Sequence, residues 1–295
     1  RRWLTRNRKR VGVAIGTILI AAALVAAGRF LRIDPPPPLE PDQAIRKEIA
    51  AGEKVRLIGP DGRPRWTSWP LGPADLASDS IDGGTLSFQA ADPRILLLLN
   101  DPGVDSYRIE AEIWQAQKIS DVIPGSPKAF SEVGLVLGYA GQDGADGARV
   151  HTMLTWVFTE YDPGDGPGVR QHLKLMHLGI VRPAGLGPST AQTARAGVPD
   201  TLLPRAGSGW RSVIAEVTPD GVFVTGATGR PQLADRAGIA AHRNGPLEKR
   251  KSLKDNLAPT AGPIILPDWS PRMPIGIYCA GSWVYIRNIT IESLH

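Results

Sequence analysis

Residues 107–114 show the clearest alternation of apolar and polar positions in the chain. Every second residue is apolar: Tyr107, Ile109, Ala111 and Ile113. The residues between them are charged: Arg108, Glu110 and Glu112. Successive side chains of a β-strand point to opposite faces of its sheet, so this pattern predicts a strand with one buried face and one polar face.

Similar short runs recur along most of the chain and predict further strands. They cover residues 55–58, 65–69, 86–90, 95–99, 133–139, 150–160, 170–181, 210–217, 222–225, 275–279 and 283–294. Pro219, Asp220 and Gly221 separate two of these runs. Proline fixes φ at about −65° and glycine tolerates a positive φ, and both favour a tight hairpin turn. Many short strands with turn residues between them, and almost no helix, predict an all-β antiparallel sandwich.

One short helix is predicted ahead of the strands. It begins at Pro41, places Ile45 and Ile49 on one side, and stops at Gly52. The four prolines at 35–38 precede it and favour an extended, stiff spacer.

The first 31 residues have the pattern of a membrane anchor. Residues 1–10 contain six Lys or Arg and no acid, and residues 11–28 are uncharged. Eighteen helical residues span about 27 Å, close to the thickness of a bilayer core of about 30 Å, and Phe30 and Leu31 extend the apolar stretch. The positive-inside rule places the N-terminus in the cytoplasm and the rest of the chain in the periplasm or another extracytoplasmic space.

A secretory signal peptide is the alternative for this segment, since Val25, Ala26 and Ala27 resemble a cleavage site. The apolar stretch is longer than the usual core of a signal peptide, which favours a retained single-pass transmembrane helix. Both interpretations export the remainder. Gly12 and Gly16 form a GxxxG pattern, a candidate face for pairing two helices in a homodimer.

These patterns divide the chain into four parts. Residues 1–10 are predicted as a basic cytoplasmic juxtamembrane segment, and residues 11–31 as the transmembrane helix. Residues 32–53 form the proline-rich spacer and short helix. Residues 54–295 form the extracytoplasmic β-sandwich, with disordered insertions expected near 185–208 and 233–272, which are polar and rich in Gly and Pro.

The charge and cysteine content narrow the function classes. The net charge is +5, but the first ten residues contribute six positive charges, so residues 11–295 carry about −1. The basic character is therefore no sign of nucleic-acid binding, and the basic edge suits anionic membrane lipids. Cys279 is the only cysteine, which excludes an intrachain disulfide, and its apolar surroundings predict a buried, inert thiol.

The sequence contains no Walker A loop, zinc-site spacing or GxSxG elbow. Glu110 and Glu112 share a strand face with side chains about 7 Å apart, a spacing that glycosidases use. A Glu-x-Glu beside Arg108 is more often an ordinary charged surface. We therefore expect no catalytic residues here and keep both carboxylates as ligand-binding candidates.

Two acid-rich turns are candidates for calcium. Asp143 and Asp146 lie in one, and Asp162 and Asp165 follow Glu160 in the other. Calcium needs six to eight oxygen ligands, and carbonyls of glycine-rich loops supply some of them. Neither turn matches an EF-hand, so a solvated turn remains the alternative. No other cofactor is expected.

Eight tryptophans suggest carbohydrate stacking at some positions. Trp156 lies in register with apolar neighbours and is predicted in the core, and Trp210 and Trp283 are predicted in core or edge packing. Trp114 instead falls on the polar face of its strand, and Trp66 and Trp69 flank a turn. These three are the candidates for stacking against a ligand.

Three sequence blocks near the end of the chain together carry a resemblance to a known fold family. They are residues 210–224, Pro274-Ile-Gly-Ile-Tyr-Cys, and Val284-Tyr-Ile-Arg-Asn-Ile-Thr-Ile. This combination resembles the concanavalin A-like jelly rolls of the laminin-G-like and keto-disaccharide-hydrolase-like branch. The resemblance implies a jelly-roll sandwich across residues 54–294 and strengthens the expectation of a calcium ion at its rim.

The order of parts carries a second resemblance. A basic edge, a span and a proline spacer precede Val55-Arg-Leu-Ile-Gly and Pro64-Arg-Trp-Thr-Ser-Trp. This order resembles the C-terminal half of bacterial membrane-anchored serine/threonine protein kinases, and implies a kinase domain before the span. The chain itself has no glycine-rich ATP loop, HRD or DFG, so we expect no phosphate transfer from it.

The sequence therefore predicts a membrane-anchored, extracytoplasmic sensing or binding module, the sensor half of a receptor-type kinase. Its expected partners are membrane lipids, a glycan or protein ligand, and a second copy through the span. Two alternatives stay open, namely a membrane-tethered glycan-active enzyme of the keto-disaccharide-hydrolase-like kind and a structural or adhesion domain.

Overall fold

The computed structural model describes residues 41–71, 76–77, 84–118, 131–143, 149–160, 169–180, 190–195, 202–203, 209–241 and 267–295. The predicted span, its basic flank, Gly12 and Gly16 lie outside these ranges, as do Asp146, Asp162 and Asp165. Within the ranges, no helix has both the length and the apolar character needed to cross a bilayer.

The described residues are mostly strands. Helix α1 covers Pro41–Ala50, and a short helix α2 covers 236–241. The strands are β1 (Val55–Arg56), β2 (Leu76–Ala77), β3 (Leu86–Ala90), β4 (Arg94–Leu99), β5 (Tyr107–Lys118), β6 (Ser131–Asp143), β7 (Arg149–Glu160), β8 (Val169–Ile180), β9 (Thr190–Arg195), β10 (Leu202–Leu203), β11 (Arg211–Thr218), β12 (Gly221–Thr225), β13 (Pro231–Asp235), β14 (Ile275–Ala280) and β15 (Ser282–Ser293).

The strands form two sheets in which every pairing is antiparallel. The first sheet has the order β13-β12-β11-β5-β15-β3-β2, and β1 also pairs with β15. The second has the order β10-β8-β7-β6-β14-β4, and β9 pairs with β8. The predicted antiparallel all-β architecture is therefore confirmed for the described residues.

One apolar core joins the inner faces of the two sheets. The first sheet contributes Ile113 and Val213, and the second contributes Leu135, Trp156 and Ile277, all fully buried. Burying an apolar side chain of this size contributes about 1.5–3 kcal/mol. The core therefore holds the two sheets face to face as a sandwich, and the predicted core position of Trp156 is confirmed.

Strand β5 has the predicted alternation. Tyr107, Ile109 and Ile113 are fully buried, whereas Glu110 and Glu112 on the opposite side are only half-buried. Since the pleat fixes this period of two, the outward side of the first sheet carries the polar positions of β5.

The predicted hairpin at 219–221 is also confirmed. Thr218 of β11 pairs with Gly221 of β12, and Pro219 and Asp220 form the turn. Gly221 has a φ of +148°, and a Cβ at this position would lie 2.3 Å from the carbonyl oxygen of Ala234. Only glycine fits this close approach of β12 to β13.

Two predictions from local pattern need correction. Residues 65–69 do not form a regular strand, and only Ser68 makes a bridge to Leu97 of β4. The insertions predicted as disordered near 185–208 and 233–272 include β9, β10, the end of β13 and α2. The polar sequences of β9 and β13 concealed these two strands, because each is stabilised by pairing with the preceding strand, β8 or β12, and a local pattern does not show such a pairing.

Helix α1 is confirmed and is fixed to the sandwich. Ile45 and Ile49 have no exposed surface and join the core, and the chain leaves the helix through Gly52 at a φ of +80°. Arg65 makes two hydrogen bonds of 2.6 and 2.8 Å to the carboxylate of Glu48. The segment that follows the proline spacer is therefore packed against the sandwich.

Candidate ligand-binding face

Four aromatic side chains meet on the outward side of the first sheet. Trp114 of β5 lies opposite Tyr285 of β15 in the pairing register. Trp210 immediately precedes Arg211, which is opposite Ile113, so Trp210 reaches Trp114 from the other neighbouring strand. Trp283 lies two residues before Tyr285, on the same face. We call Trp114, Trp210, Trp283 and Tyr285 the aromatic face.

The rings of the aromatic face form an unbroken series of contacts. The centroid of Trp114 lies 5.8 Å from that of Trp210 and 5.2 Å from that of Tyr285. Tyr285 lies 5.7 Å from Trp283. All of these distances fall within the range of favourable aromatic pairs. Two of the supporting segments are β5 and β15, and the third is the residue immediately before β11, so three neighbouring segments of the sheet hold the rings in place.

The aromatic face is only partly shielded from solvent. Tyr285 is buried, but the three tryptophans retain intermediate exposure. The indole nitrogen of Trp283 donates a 2.9 Å hydrogen bond to Ser87, whereas that of Trp114 has no hydrogen-bond partner among the described residues. A partly exposed apolar surface with polar side chains at its rim is a feature of many binding sites.

A polar group borders the aromatic face. The Oε2 atom of Glu112 accepts hydrogen bonds from Arg287 Nε at 2.8 Å and from Asn288 Nδ2 at 2.7 Å. Asn288 has a φ of +52° and lies in the register shift between Arg287 and Thr290 of β15. Such bulges redirect side chains, and here the bulge brings the Asn288 amide onto Glu112. We call Glu112, Arg287 and Asn288 the polar triad.

The polar triad contacts the aromatic face directly. The guanidinium carbon of Arg287 lies 4.0 Å from the centre of the Trp210 ring. A cation over an indole is attracted by the negative face of the ring. The two groups therefore form one continuous surface with apolar and hydrogen-bonding parts.

Glu110 lies on the same strand face but has other partners. Lys54 donates a 2.6 Å hydrogen bond to one carboxylate oxygen, and Arg108 lies 2.8 Å from the other. The hydrogen bond from Lys54 lowers the pKa of Glu110, partial burial opposes this, and the charges of Lys54 and Arg108 lower it further. Glu110 is thus held ionised at neutral pH, which does not suit a general acid.

Trp66 and Trp69 lie away from the aromatic face. Trp69 makes an edge-to-face contact with Phe88 at 5.8 Å and packs against the main core. Trp66 packs against the core and against a second apolar cluster around Tyr278. Packing accounts for both residues, so the structure brings only Trp114 of the three predicted tryptophans to the candidate site.

Of the four calcium candidates, only Asp143 lies within the described ranges. Asp143 ends β6, and its predicted partner Asp146 lies outside the described ranges. Among the side chains that are described, no three His, Cys, Asp or Glu residues come together as a metal site would require.

Cys279 is placed as predicted. It is fully buried in β14, and this burial raises the pKa of its thiol well above the usual value. A thiol that stays protonated in a dry core is a poor nucleophile.

Sequence reasoning missed most of this surface. It assigned Trp210 and Trp283 to packing and did not single out Tyr285, Arg287 or Asn288 as site residues. The alternation Trp283-Val-Tyr285-Ile-Arg287 was the available signal, since a period of two places these three side chains on one face. Their proximity to Trp114 depended on the unknown pairing of β5 with β15.

No protein-family model matches this chain, and no curated protein matches it. Among solved structures it is similar to the carbohydrate-binding module CBM66 from Bacillus subtilis, at 10% identity and a TM-score of 0.38, covering 77% of this chain and 96% of that one. A proposed glycosyl hydrolase from Parabacteroides distasonis is similar at 12% identity and a TM-score of 0.41, covering 84% and 97%. A family 7 alginate lyase, A1-II′, is similar at 13% identity and a TM-score of 0.35, covering 76% and 85%. Every TM-score is below 0.5, so we infer no function from these structures.

Proposed function

We propose that the sandwich binds a glycan on its aromatic face. The observation that carries this proposal is the unbroken series of four aromatic rings, which extends from Trp210 just before β11 across β5 to β15 and is bordered by the polar triad. The negative face of an aromatic ring attracts the polarised C–H groups of a sugar ring, and rings held by a sheet lose little entropy on binding. Ligand sites commonly combine such a surface with a few placed polar groups, and the polar triad supplies these.

A glycosidase is the less favoured function. A pair of catalytic carboxyls needs one member that is protonated and can donate to the leaving oxygen. Glu110 is ionised beside Lys54 and Arg108, and Glu112 is held by Arg287 and Asn288. Binding without cleavage fits these pairings better than hydrolysis does.

The finer proposal concerns the setting of the domain. We propose that the predicted span 11–31 tethers a concanavalin A-like domain outside the cytoplasm and that glycan binding is sensed there by a receptor-type kinase. Its support is the order of segments in the sequence and the resemblance that this order carries. Protease treatment of intact cells should remove the sandwich, and the coding sequence upstream of Arg1 should contain a kinase domain.

The binding proposal is tested with the full chain in detergent micelles on a glycan array. Wild type should be retained by at least one glycan class, and Trp210→Ala should reduce that retention. Phe223→Ala is the matched control, because Phe223 is an exposed aromatic residue of the same sheet that lies outside the aromatic face. If no glycan on the array retained the wild-type chain, glycan binding would be contradicted and a structural or adhesion role would be favoured.

A further inference from the structure

The two oxygens of the Glu112 carboxylate are in different situations. Oε2 accepts both hydrogen bonds, from Arg287 and from Asn288. Oε1 receives no hydrogen bond from any side chain or backbone group in the described ranges, and the Glu112 side chain is 29% exposed. A carboxylate oxygen has lone pairs for further bonds, so Oε1 is available to accept a hydrogen bond from a ligand.

Arg287 is likewise only partly engaged. Its Nε atom donates to Glu112, while its guanidinium carbon lies over Trp210. The terminal nitrogens make no hydrogen bond to other described groups, and the side chain is 30% exposed. A guanidinium carries five N–H donors in a fixed plane, so those on the terminal nitrogens are available beside the open Glu112 oxygen.

An acceptor and a donor therefore lie side by side at the border of the aromatic face. A hydroxyl group donates one hydrogen bond and accepts others. Two neighbouring hydroxyls of a sugar match the pair, because one donates to Glu112 Oε1 while the other accepts from Arg287. The sugar ring that carries them is then next to Trp210, against which its C–H face packs.

The charge of the triad selects between ligand classes. Glu112 neutralises Arg287, and Asn288 is uncharged, so the triad has no net positive charge to offer an anion. The negative charge of a uronate or sulfate bound here would lie beside the open oxygen of Glu112, and the two like charges would repel each other. We propose that the polar triad reads a vicinal pair of hydroxyls on a neutral sugar and disfavours acidic glycans. This inference rests on the proposed glycan binding.

Asn288 is the positioning residue of this arrangement. Its φ of +52° lies in the left-handed region, which costs energy for a residue other than glycine. Asparagine tolerates this region better than most residues, and the bulge directs its amide to Glu112 Oε2. Both bonds to Oε2 fix the carboxylate so that Oε1 is left for the ligand.

The test uses the full chain in detergent micelles on an array that carries neutral hexose oligomers, each beside its C6-oxidised uronate counterpart. The readout is the ratio of neutral to uronate binding, which a merely structural defect would not change. The variants are Glu112→Gln and Asn288→Gly. Glu216→Gln is the matched control, since Glu216 is a partly exposed glutamate of the neighbouring strand β11 that lies outside the triad.

Wild type should prefer the neutral oligomers, and Glu112→Gln should lower the ratio about tenfold, the value of one hydrogen bond to a charged group. Asn288→Gly should also lower the ratio of neutral to uronate binding, and Glu216→Gln should leave this ratio unchanged. Binding with a uronate preference, or an unchanged ratio in Glu112→Gln, would overturn the triad's role while leaving glycan binding intact. Wild type that binds no oligomer would contradict the proposed function itself.

Discussion

The guanidinium carbon of Arg287 lies 4.0 Å from the centre of the Trp210 ring. Arg287 belongs to β15 and Trp210 immediately precedes β11, and these two strands are separated in the sheet by β5. Arg287 reaches across β5 because Glu112 on that strand accepts a hydrogen bond from its Nε atom. One arginine thus connects three strands on the outward face of the sheet and joins the aromatic face to the polar triad.

Arg287→Lys should therefore not behave as a conservative change. An ammonium has no planar fork, so lysine cannot bond Glu112 and cover Trp210 together. We expect the free energy of unfolding to fall by about 1 kcal/mol, given the usual size of exposed cation–π contacts and ion pairs. Urea unfolding measures this change. Arg108→Lys, at an ion pair on the same face, should cost less, and an equal cost would contradict the role given to Arg287.

Asn288 should tolerate glycine and not valine. Glycine adopts the φ of +52° without strain, which offsets part of the lost hydrogen bond to Glu112. Asn288→Gly should therefore leave the thermal midpoint nearly unchanged while weakening glycan binding. Asn288→Val should lower stability by about 2 kcal/mol, because a β-branched residue is strongly disfavoured in the left-handed region. Equal midpoints for the two variants would show that this backbone conformation is not retained.

The hairpin between β11 and β12 gives a test of the fold. Gly221→Ala would place a Cβ 2.3 Å from the carbonyl oxygen of Ala234, and we expect a loss of about 3 kcal/mol. Gly229→Ala is the matched control, because Gly229 also has a positive φ of +70° but no atom within 4 Å of its Cβ position. The control should cost about 1 kcal/mol from backbone strain alone. Chemical denaturation that gives the same loss for both would refute the close packing of β12 on β13.

Asp101 should make the stability dependent on acid. Partial burial raises the pKa of Asp101, but hydrogen bonds from Arg272 at 2.6 and 2.7 Å and from Gly103, with the charges of Arg272 and Arg46, lower it overall. A carboxyl whose pKa is lower in the folded state stabilises the fold above its usual value of 3.8, and this contribution is lost as the pH falls toward the folded-state pKa. Asp101→Asn should thus be less stable than wild type at pH 6, with the difference shrinking below pH 3.8.

Local features of the fold were predictable from the sequence. The alternation in β5, the turn before Gly221 and helix α1 each depend on residues close together in the chain, and each is confirmed. Strands β9 and β13 were missed, since their sequences are polar and they are stabilised by pairing with β8 and β12. A local pattern contains no information about such partners.

The candidate site was predictable only where it depends on the local pattern of one strand. The polar side of β5 identified Trp114, Glu110 and Glu112 as neighbours on one face. Their different surroundings depend on Lys54 and on β15, which lie far away in sequence. The pairing register, and the bulge that positions Asn288, place Glu112 beside Arg287 and Asn288 in the candidate site, whereas Glu110 is paired with Lys54 and Arg108.

The central claim, glycan binding on the aromatic face, is tested most directly by calorimetric titration of the full chain. The titrant is the neutral oligosaccharide that wild type retains most strongly on the array. Trp210→Ala should weaken binding at least about tenfold, as expected for an aromatic hot spot, and Phe223→Ala should leave the dissociation constant within about twofold. Equal affinities for wild type and Trp210→Ala, with both proteins folded, would contradict the account.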